Sequence, residues 1–393
     1  MQQERILHSF EKHSLDGFVS FLPENILAFS GYWPSTGNSA ILYPAAAKPL
    51  LIVPFPDDQF VPASFSGEVI IYHTGLDKDP AEVQVINHLK AAFAAKNLGH
   101  ARIGCVKSMQ TVAGTHIGGE AHVHGLPFFG ALESALPDVI FEDHTALLNA
   151  LKMVKTPSEI QSIKKCHEIV EYALGEAKAK LQPGMKESAL SAIIEGEIQT
   201  FGIGYQGVGR ARGYAFVMSG ADNTANAWLD YNISTDRVIE EGDLILIELD
   251  THADGYWSDI SRTFVAGSPD QKQTDVLSAI LKSLYATVEA LKNGMGTEEI
   301  DNISRKVLWE EGLAEYYRHH VGHGVGYAFH EAPYLDPPEN MAAASTVPVE
   351  AGMVFAIEPG IYIPGWGGIR IEDNVVMTAA GKAEYLSNFE RGF

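Results

Sequence analysis

Residues 244–264, LILIELDTHADGYWSDISRTF, decide how this chain is read. The first half alternates, so that Leu244, Leu246, Glu248 and Asp250 share one face of a strand. Asp254–Gly255 marks a turn, and YWSDISRTF runs back as a strand of β-branched and aromatic residues. A hairpin closing near Ala253–Asp254 sets Glu248 roughly opposite Asp259. Like charges directly across a strand pair are destabilising. A positive group therefore belongs between them, and a bound metal ion is the economical candidate. The competing reading is a pair of solvated residues on an exposed edge.

Three further segments favour the ion. YRHHVGHGVGYAFHEAP holds His319, His320, His323 and His330 around Gly322, Gly324 and Gly326. Histidines clustered in a glycine-rich loop, where the backbone can approach closely, suit a site better than a core. VFAIEPGIYI ends an apolar strand with Glu358. GIRIEDNVVMT places Arg370, Glu372 and Asn374 on one strand face, with Ile369 and Ile371 opposite. A glutamate in a buried strand needs a partner or a cation. Four carboxylates and one imidazole suit Mn2+, Zn2+, Co2+ or Fe2+ better than Ca2+. Two such ions close together can polarise a carbonyl and activate a water.

Outward from this region the chain divides. Residues 1–150 alternate short apolar strands (DGFVSFL, SAILYP, PLLIVPF, EVIIYH) with helical patterns such as PAEVQVINHLKAAFAAKN. A boundary follows near Leu151. Thr156 then reads as an N-cap, Pro157 as the first helical residue and Glu159 as the partner in a capping box. Residues 151–393 contain a faint repeat, LQPGMKESALSAII at 181–194 against LKNGMGTEEIDNIS at 291–304. It predicts a pseudo-symmetric domain of two αβ halves with a site at their interface. The 393 residues carry 28 Lys plus Arg against 50 Asp plus Glu, a net charge of −22. That balance argues against nucleic acid or an anionic membrane as the main partner. Cys105 and Cys166 suggest no disulfide framework, and no signal peptide or anchor is read, so a cytoplasmic location is expected.

GYWSDISRTF, HHVGHGVGYAFHEAP, AIEPGIYI and GIRIEDNVV together resemble the motifs of the pita-bread metallopeptidases. This family includes Xaa-Pro dipeptidase (prolidase), aminopeptidase P and methionine aminopeptidase, with creatinase as a metal-free relative. The two-domain layout is similar to the prolidase and creatinase branch along nearly the whole chain, and KMVKTPSEI resembles that branch's junction into its catalytic domain. The resemblance implies an α/β (α+β) fold. A ribonuclease-H-like, creatinase/prolidase-type domain over residues 1–150 would precede a pita-bread catalytic domain over 151–393. It implies metal ligands at Glu248, Asp259, His323, Glu358 and Glu372. The spacing from Glu248 to Asp259 is 11 residues and from Glu358 to Glu372 is 14, as in the family's paired ligands. His319 and His330 fall on substrate and transition-state contacts, Tyr362 and Arg370 on auxiliary residues, and Glu358 also handles the proton of the attacking water.

Two positions depart from the family's pattern. Its first metal aspartate is Glu248 here, so that the strand is expected to shift, or one of the two divalent ions to bind more weakly, or Asp250 on the same face to contribute, the last being disfavoured because it sits two residues on, about 6–7 Å along the strand. A histidine usually found six residues before the residue matching Arg237 is Tyr231 here, with Trp228 nearby. The implied activity is that of a metal-dependent peptidase of the Xaa-Pro dipeptidase or aminopeptidase P type. It would hydrolyse a short peptide near its N-terminus through a metal-bridged hydroxide, in a homodimer. Two alternatives stay open: a creatinase-like C–N hydrolase or lyase acting on a small non-peptide substrate, and a non-catalytic binding protein on the same fold.

Overall fold

The structure, a computed structural model, describes residues 3–34, 38–73, 75, 78–107, 126–229, 233–336 and 346–393. The expectation placed on Tyr231 lies outside the described residues. The chain forms two compact units that meet in sequence between Lys152 and Met153.

The first unit is built on β1 (Gly17–Ser20), β2 (Ala40–Pro44), β3 (Leu50–Pro54), β4 (Glu68–Tyr72), β5 (Arg102–Cys105) and β6 (Ile140–Asp143). They form one mixed sheet in the order β4-β3-β2-β1-β5-β6. β1, β2 and β3 are buried along their whole length. This explains their near-continuous apolar runs, since both sheet faces are covered. Val19, Leu42 and Ile52 pack on one face with Val85, Leu89 and Phe93 from the helix Ala81–Ala95. Phe18, Ile41 and Leu51 pack on the other with Ile6 and Phe10 from the helix Gln3–His13.

The second unit opens with the helix Pro157–Lys180. Thr156 Oγ1 accepts from Glu159 N while Glu159 Oε2 accepts from Thr156 N, so the capping box is formed. The helix Glu187–Gly202 follows, then β7 (Ala211–Ser219), β8 (Leu244–Ala253) and β9 (Tyr256–Val265), paired in that order. A second helix pair, Gln271–Ala290 and Thr297–Glu310, leads to β10 (Gly322–Gly324), β11 (Glu331–Tyr334), β12 (Val354–Ile357), β13 (Gly360–Ile363), β14 (Gly367–Arg370), β15 (Asp373–Met377) and β16 (Ala383–Tyr385). One sheet runs β11-β10-β12-β15-β16, and β13 pairs with β14 as a ribbon.

The repeat is physical. Gly184 N donates to Ile239 O and Ile239 N to Met185 O. In the second half Gly294 N donates to Val349 O and Val349 N to Met295 O. Gly184 and Gly294 both sit at positive φ, 94° and 82°, as these turns require. Each half has its own apolar core. One gathers Ile169, Ile194, Val217 and Ile247, and the other Ile280, Ile300, Phe355 and Val375.

Two sequence expectations need correction. Asp254 and Gly255 both adopt positive φ, 49° and 88°, so they are the two loop residues of the hairpin. Ala253 therefore faces Tyr256, Glu248 faces Ser261, and Asp250, not Glu248, lies directly opposite Asp259. The segment carrying Arg370, Glu372 and Asn374 is not one strand either. It breaks at Ile371–Glu372, where β14 leaves the ribbon with β13 and β15 joins β12. Arg370 and Glu372 thus belong to different pairings.

Candidate metal centre

β9 and β12 bring the first donors together. His323, on β10, has its Nε2 3.5 Å from Asp259 Oδ2 and 3.5 Å from Glu358 Oε1. Its Nδ1 lies 2.9 Å from Gly324 O, which can only accept, so Nδ1 carries the proton and Nε2 presents its lone pair. Burial holds the His323 pKa down at about 3, so the ring is neutral and its contacts are not ion pairs. His330 Nε2 approaches Asp259 Oδ2 from the other side at 3.5 Å. Donor atoms close to within 4.8 Å of one another in three groups: Asp259 with His323 and His330; His323 with Glu358 and Glu372; and Glu248 with Asp259 and Glu372.

Several of these atoms lack an internal partner. Asp259 Oδ1 and Oδ2, His323 Nε2 and Glu372 Oε1 are buried and make no hydrogen bond. Buried polar atoms are nearly always paired, so such a set needs a ligand. Burial and the neighbouring carboxylates push Asp259 and Glu372 well above the ordinary carboxyl range. The donor chemistry and the orphaned atoms both fit divalent metal ions.

Beside the donors runs a directional chain. Arg370 binds Glu248 Oε2 through Nη2 and donates through Nη1 to Tyr362 OH at 2.9 Å. Tyr362 OH lies 2.9 Å from His319 Nε2. His319 Nδ1 donates to His320 O at 2.7 Å, which leaves Nε2 as the acceptor of the tyrosine proton. Burial and the charge of Arg370 lower the His319 pKa to about 3, consistent with a neutral ring. Ser261 Oγ receives Arg370 Nε at 2.7 Å and lies 2.5 Å from Glu248 Oε2 and 2.8 Å from Glu372 Oε2. For Glu248, burial opposes ionisation but Arg370 prevails and holds the carboxyl at about 2.

All nine residues singled out in the sequence thus lie in one region of the second unit. The sequence reading left His320 without a role. Its Nδ1 is 2.9 Å from Asp336 Oδ1 and its Nε2 3.8 Å from Glu358 Oε1. Burial alone would lower its pKa, but Asp336 and Glu358 raise it. Lys155 and Glu331 were also missed. They form a buried pair behind the histidine loop, and Glu331 Oε2 accepts from Tyr327 N at 3.0 Å and Ala328 N at 3.3 Å. Only the adjacency of Glu331 to His330 hinted at this.

The profile of metallopeptidase family M24 matches residues 161–379, more than half of the chain. The chain belongs to metallopeptidase family M24. The profile of the Creatinase/Prolidase N-terminal domain matches residues 2–154. Among curated M24-type relatives, a Xaa-Pro dipeptidase of Pyrococcus furiosus is 35% identical over 254 residues, covering 62% of this chain and 66% of the relative. The chain thus spans just under two thirds of that relative's length. Among solved structures, the prolidase of Pyrococcus horikoshii superposes with a TM-score of 0.77 at 27% identity, covering 99% of this chain and 98% of the other. The Xaa-Pro dipeptidase of Bacillus anthracis gives 0.78 at 26% identity, covering 99% and 97%. The fold of this M24 member is therefore the α/β class read from the sequence: a creatinase-type N-terminal domain followed by a pita-bread domain. No helix among the described residues is long and apolar enough to cross a membrane.

Proposed function

We propose that this chain is a metal-dependent peptidase of the Xaa-Pro dipeptidase and aminopeptidase P type, cutting a short peptide near its N-terminus. The observation that carries the reading is the set of buried, unpartnered donor atoms on Asp259, His323 and Glu372, gathered beside Glu358. The names of the M24 relatives support the substrate class. In this reading one divalent ion would be held by Asp259, His323, Glu358 and Glu372, and a second by Glu248, Asp259 and Glu372. Ions there would supply Lewis-acid polarisation of the scissile carbonyl and an activated water.

The chain's own residues do the rest. Glu358 accepts the proton of the attacking water and delivers it to the leaving amine. His330 donates a hydrogen bond to the carbonyl oxygen as charge develops there. Arg370 holds Glu248 in place and aligns Tyr362, whose hydroxyl in turn fixes the His319 ring. Mn2+ is the first ion to test, with Zn2+, Co2+ and Fe2+ beside it. We ascribe no ligand to residues 1–150 and propose that they serve assembly of a cytoplasmic homodimer.

The test is metal analysis of the purified protein beside a dipeptide panel that includes Xaa-Pro substrates. The expected result is divalent metal at the predicted donors and hydrolysis of Xaa-Pro bonds. Glu358→Gln should lower kcat by about 10²–10⁴, the range for loss of a general base or acid. Hydrolysis of no peptide by metal-loaded protein would overturn the reading, and protein that takes up no metal would point to creatinase-like chemistry.

A further inference from the structure

The register of the β8–β9 hairpin leaves one carboxylate without a place in the ligand set. Asp250 lies directly opposite Asp259, and the two residues are 2% and 1% exposed. Side chains in such a pair have Cβ atoms about 4.5–5.5 Å apart, and like charges there repel. On its other side Asp250 faces Tyr214 on β7. Glu248, two residues earlier on the same face, is differently served. Arg370 and Ser261 both engage its Oε2. The guanidinium that reaches this region is thus taken up by Glu248, and no ion pair to Asp250 forms among the described residues.

A buried carboxylate without a cation is costly unless it is protonated or coordinates a metal. The second, independent observation is that both oxygens of Asp259 are buried and without any hydrogen-bond partner. Resting on the reading of this region as a metal centre, we propose that Asp250 is a further ligand of the second ion. It would complete there an all-oxygen set with Asp259, Glu372 and the remaining oxygen of Glu248.

Asp250 lies outside the three donor groups that already close to within 4.8 Å, so its carboxylate would have to turn toward Asp259 for the ion to bind it. Two consequences follow from its chemistry. Four carboxylates and no imidazole make this position the harder of the two, selecting Mn2+ over Zn2+, while His323 gives the first position its affinity for borderline ions. The Asp250 carboxylate is also a liability in the metal-free protein and an asset in the loaded one, so its removal should change sign with loading.

The experiment uses the full-length chain stripped with EDTA, titrated with Mn2+ by calorimetry and by the loss of the free-ion EPR signal. Wild type is expected to bind two ions per chain. Asp250→Asn is expected to bind the first normally and the second at least about tenfold more weakly. In EDTA the variant should melt at or above the wild-type temperature, because an uncompensated carboxylate has gone. With saturating Mn2+ it should melt below wild type. Two ions bound at wild-type affinity by the variant would overturn the proposal while leaving the metal centre intact. A variant that melts lower than wild type, or fails to fold, in EDTA would also overturn it, since Asp250 would then be structural. Wild-type protein that binds no Mn2+ would instead remove the metal-centre reading beneath it.

Discussion

Asp259, at the middle of β9, has two carboxyl oxygens, both buried and neither hydrogen-bonded. Its state therefore depends on what else is bound, which makes it sensitive to pH. Burial and the surrounding carboxylates raise Asp259 and Glu372 well above the values of about 3.9 and 4.3 expected for the unfolded chain. For such groups the contribution to stability is fully present below the unfolded value and is lost as pH rises through the folded one. Metal-free protein should accordingly melt at lower temperature as pH is raised above the unfolded values of about 4. Metal binding displaces the same protons, so Mn2+ affinity should rise with pH. His323 does not oppose this trend, since burial keeps it neutral down to about pH 3. Calorimetry in buffers of different ionisation enthalpy would count the protons released. An affinity independent of pH would show that the carboxyls are already ionised.

At the level of elements, the histidine loop is held from behind by the start of the helix Pro157–Lys180. Lys155 Nζ is fully buried and paired with Glu331, Tyr327 OH donates to Glu159 Oε1 at 2.6 Å, and Trp257 N donates to Gly326 O at 2.8 Å. Gly326 is required there, because a Cβ would come within 2.7 Å of Lys155 Cε. Lys155→Met would leave the Glu331 carboxylate buried without its cation. A loss of about 3–5 kcal/mol in denaturant unfolding is expected, and adding Glu331→Gln should recover part of it. If the single variant is as stable as wild type, the pair is not what fixes the loop. This clamp was illegible in the sequence because its partners are 176 residues apart. The capping box, by contrast, spans four consecutive residues and was read directly.

At the scale of the molecule, every proposed ligand lies in the unit that begins at Met153, and that unit contains two apolar cores of its own. Its two halves repeat the same helix pair and the same turn. Asp259 comes from the first half, and His323, Glu358 and Glu372 come from the second. A fragment covering residues 151–393 should therefore fold and bind Mn2+ with the stoichiometry of the full chain. Folded fragment that binds no Mn2+ would mean that residues 1–150 contribute to the centre.

The sequence by itself determined the elements and the kinds of donor. Alternation, turn residues and caps are local signals, and they gave the hairpin, the first four strands of the first unit, the capped helix start at Thr156 and the repeat, but not β5 and β6. The motifs also pointed to the proposed donors, since a carboxylate in an apolar strand is visible wherever it later packs. Tertiary structure decided the partners. The two residues at positive φ are Asp254 and Gly255, one step beyond the expected centre of the turn. A one-residue shift of the turn moves cross-strand pairing by two, which keeps every side chain on its face but exchanges its partner. That is how Asp250 came to face Asp259 while Glu248 was left to Arg370, 122 residues away. No periodicity in one strand encodes such a choice, because it is made by the chain that packs against it.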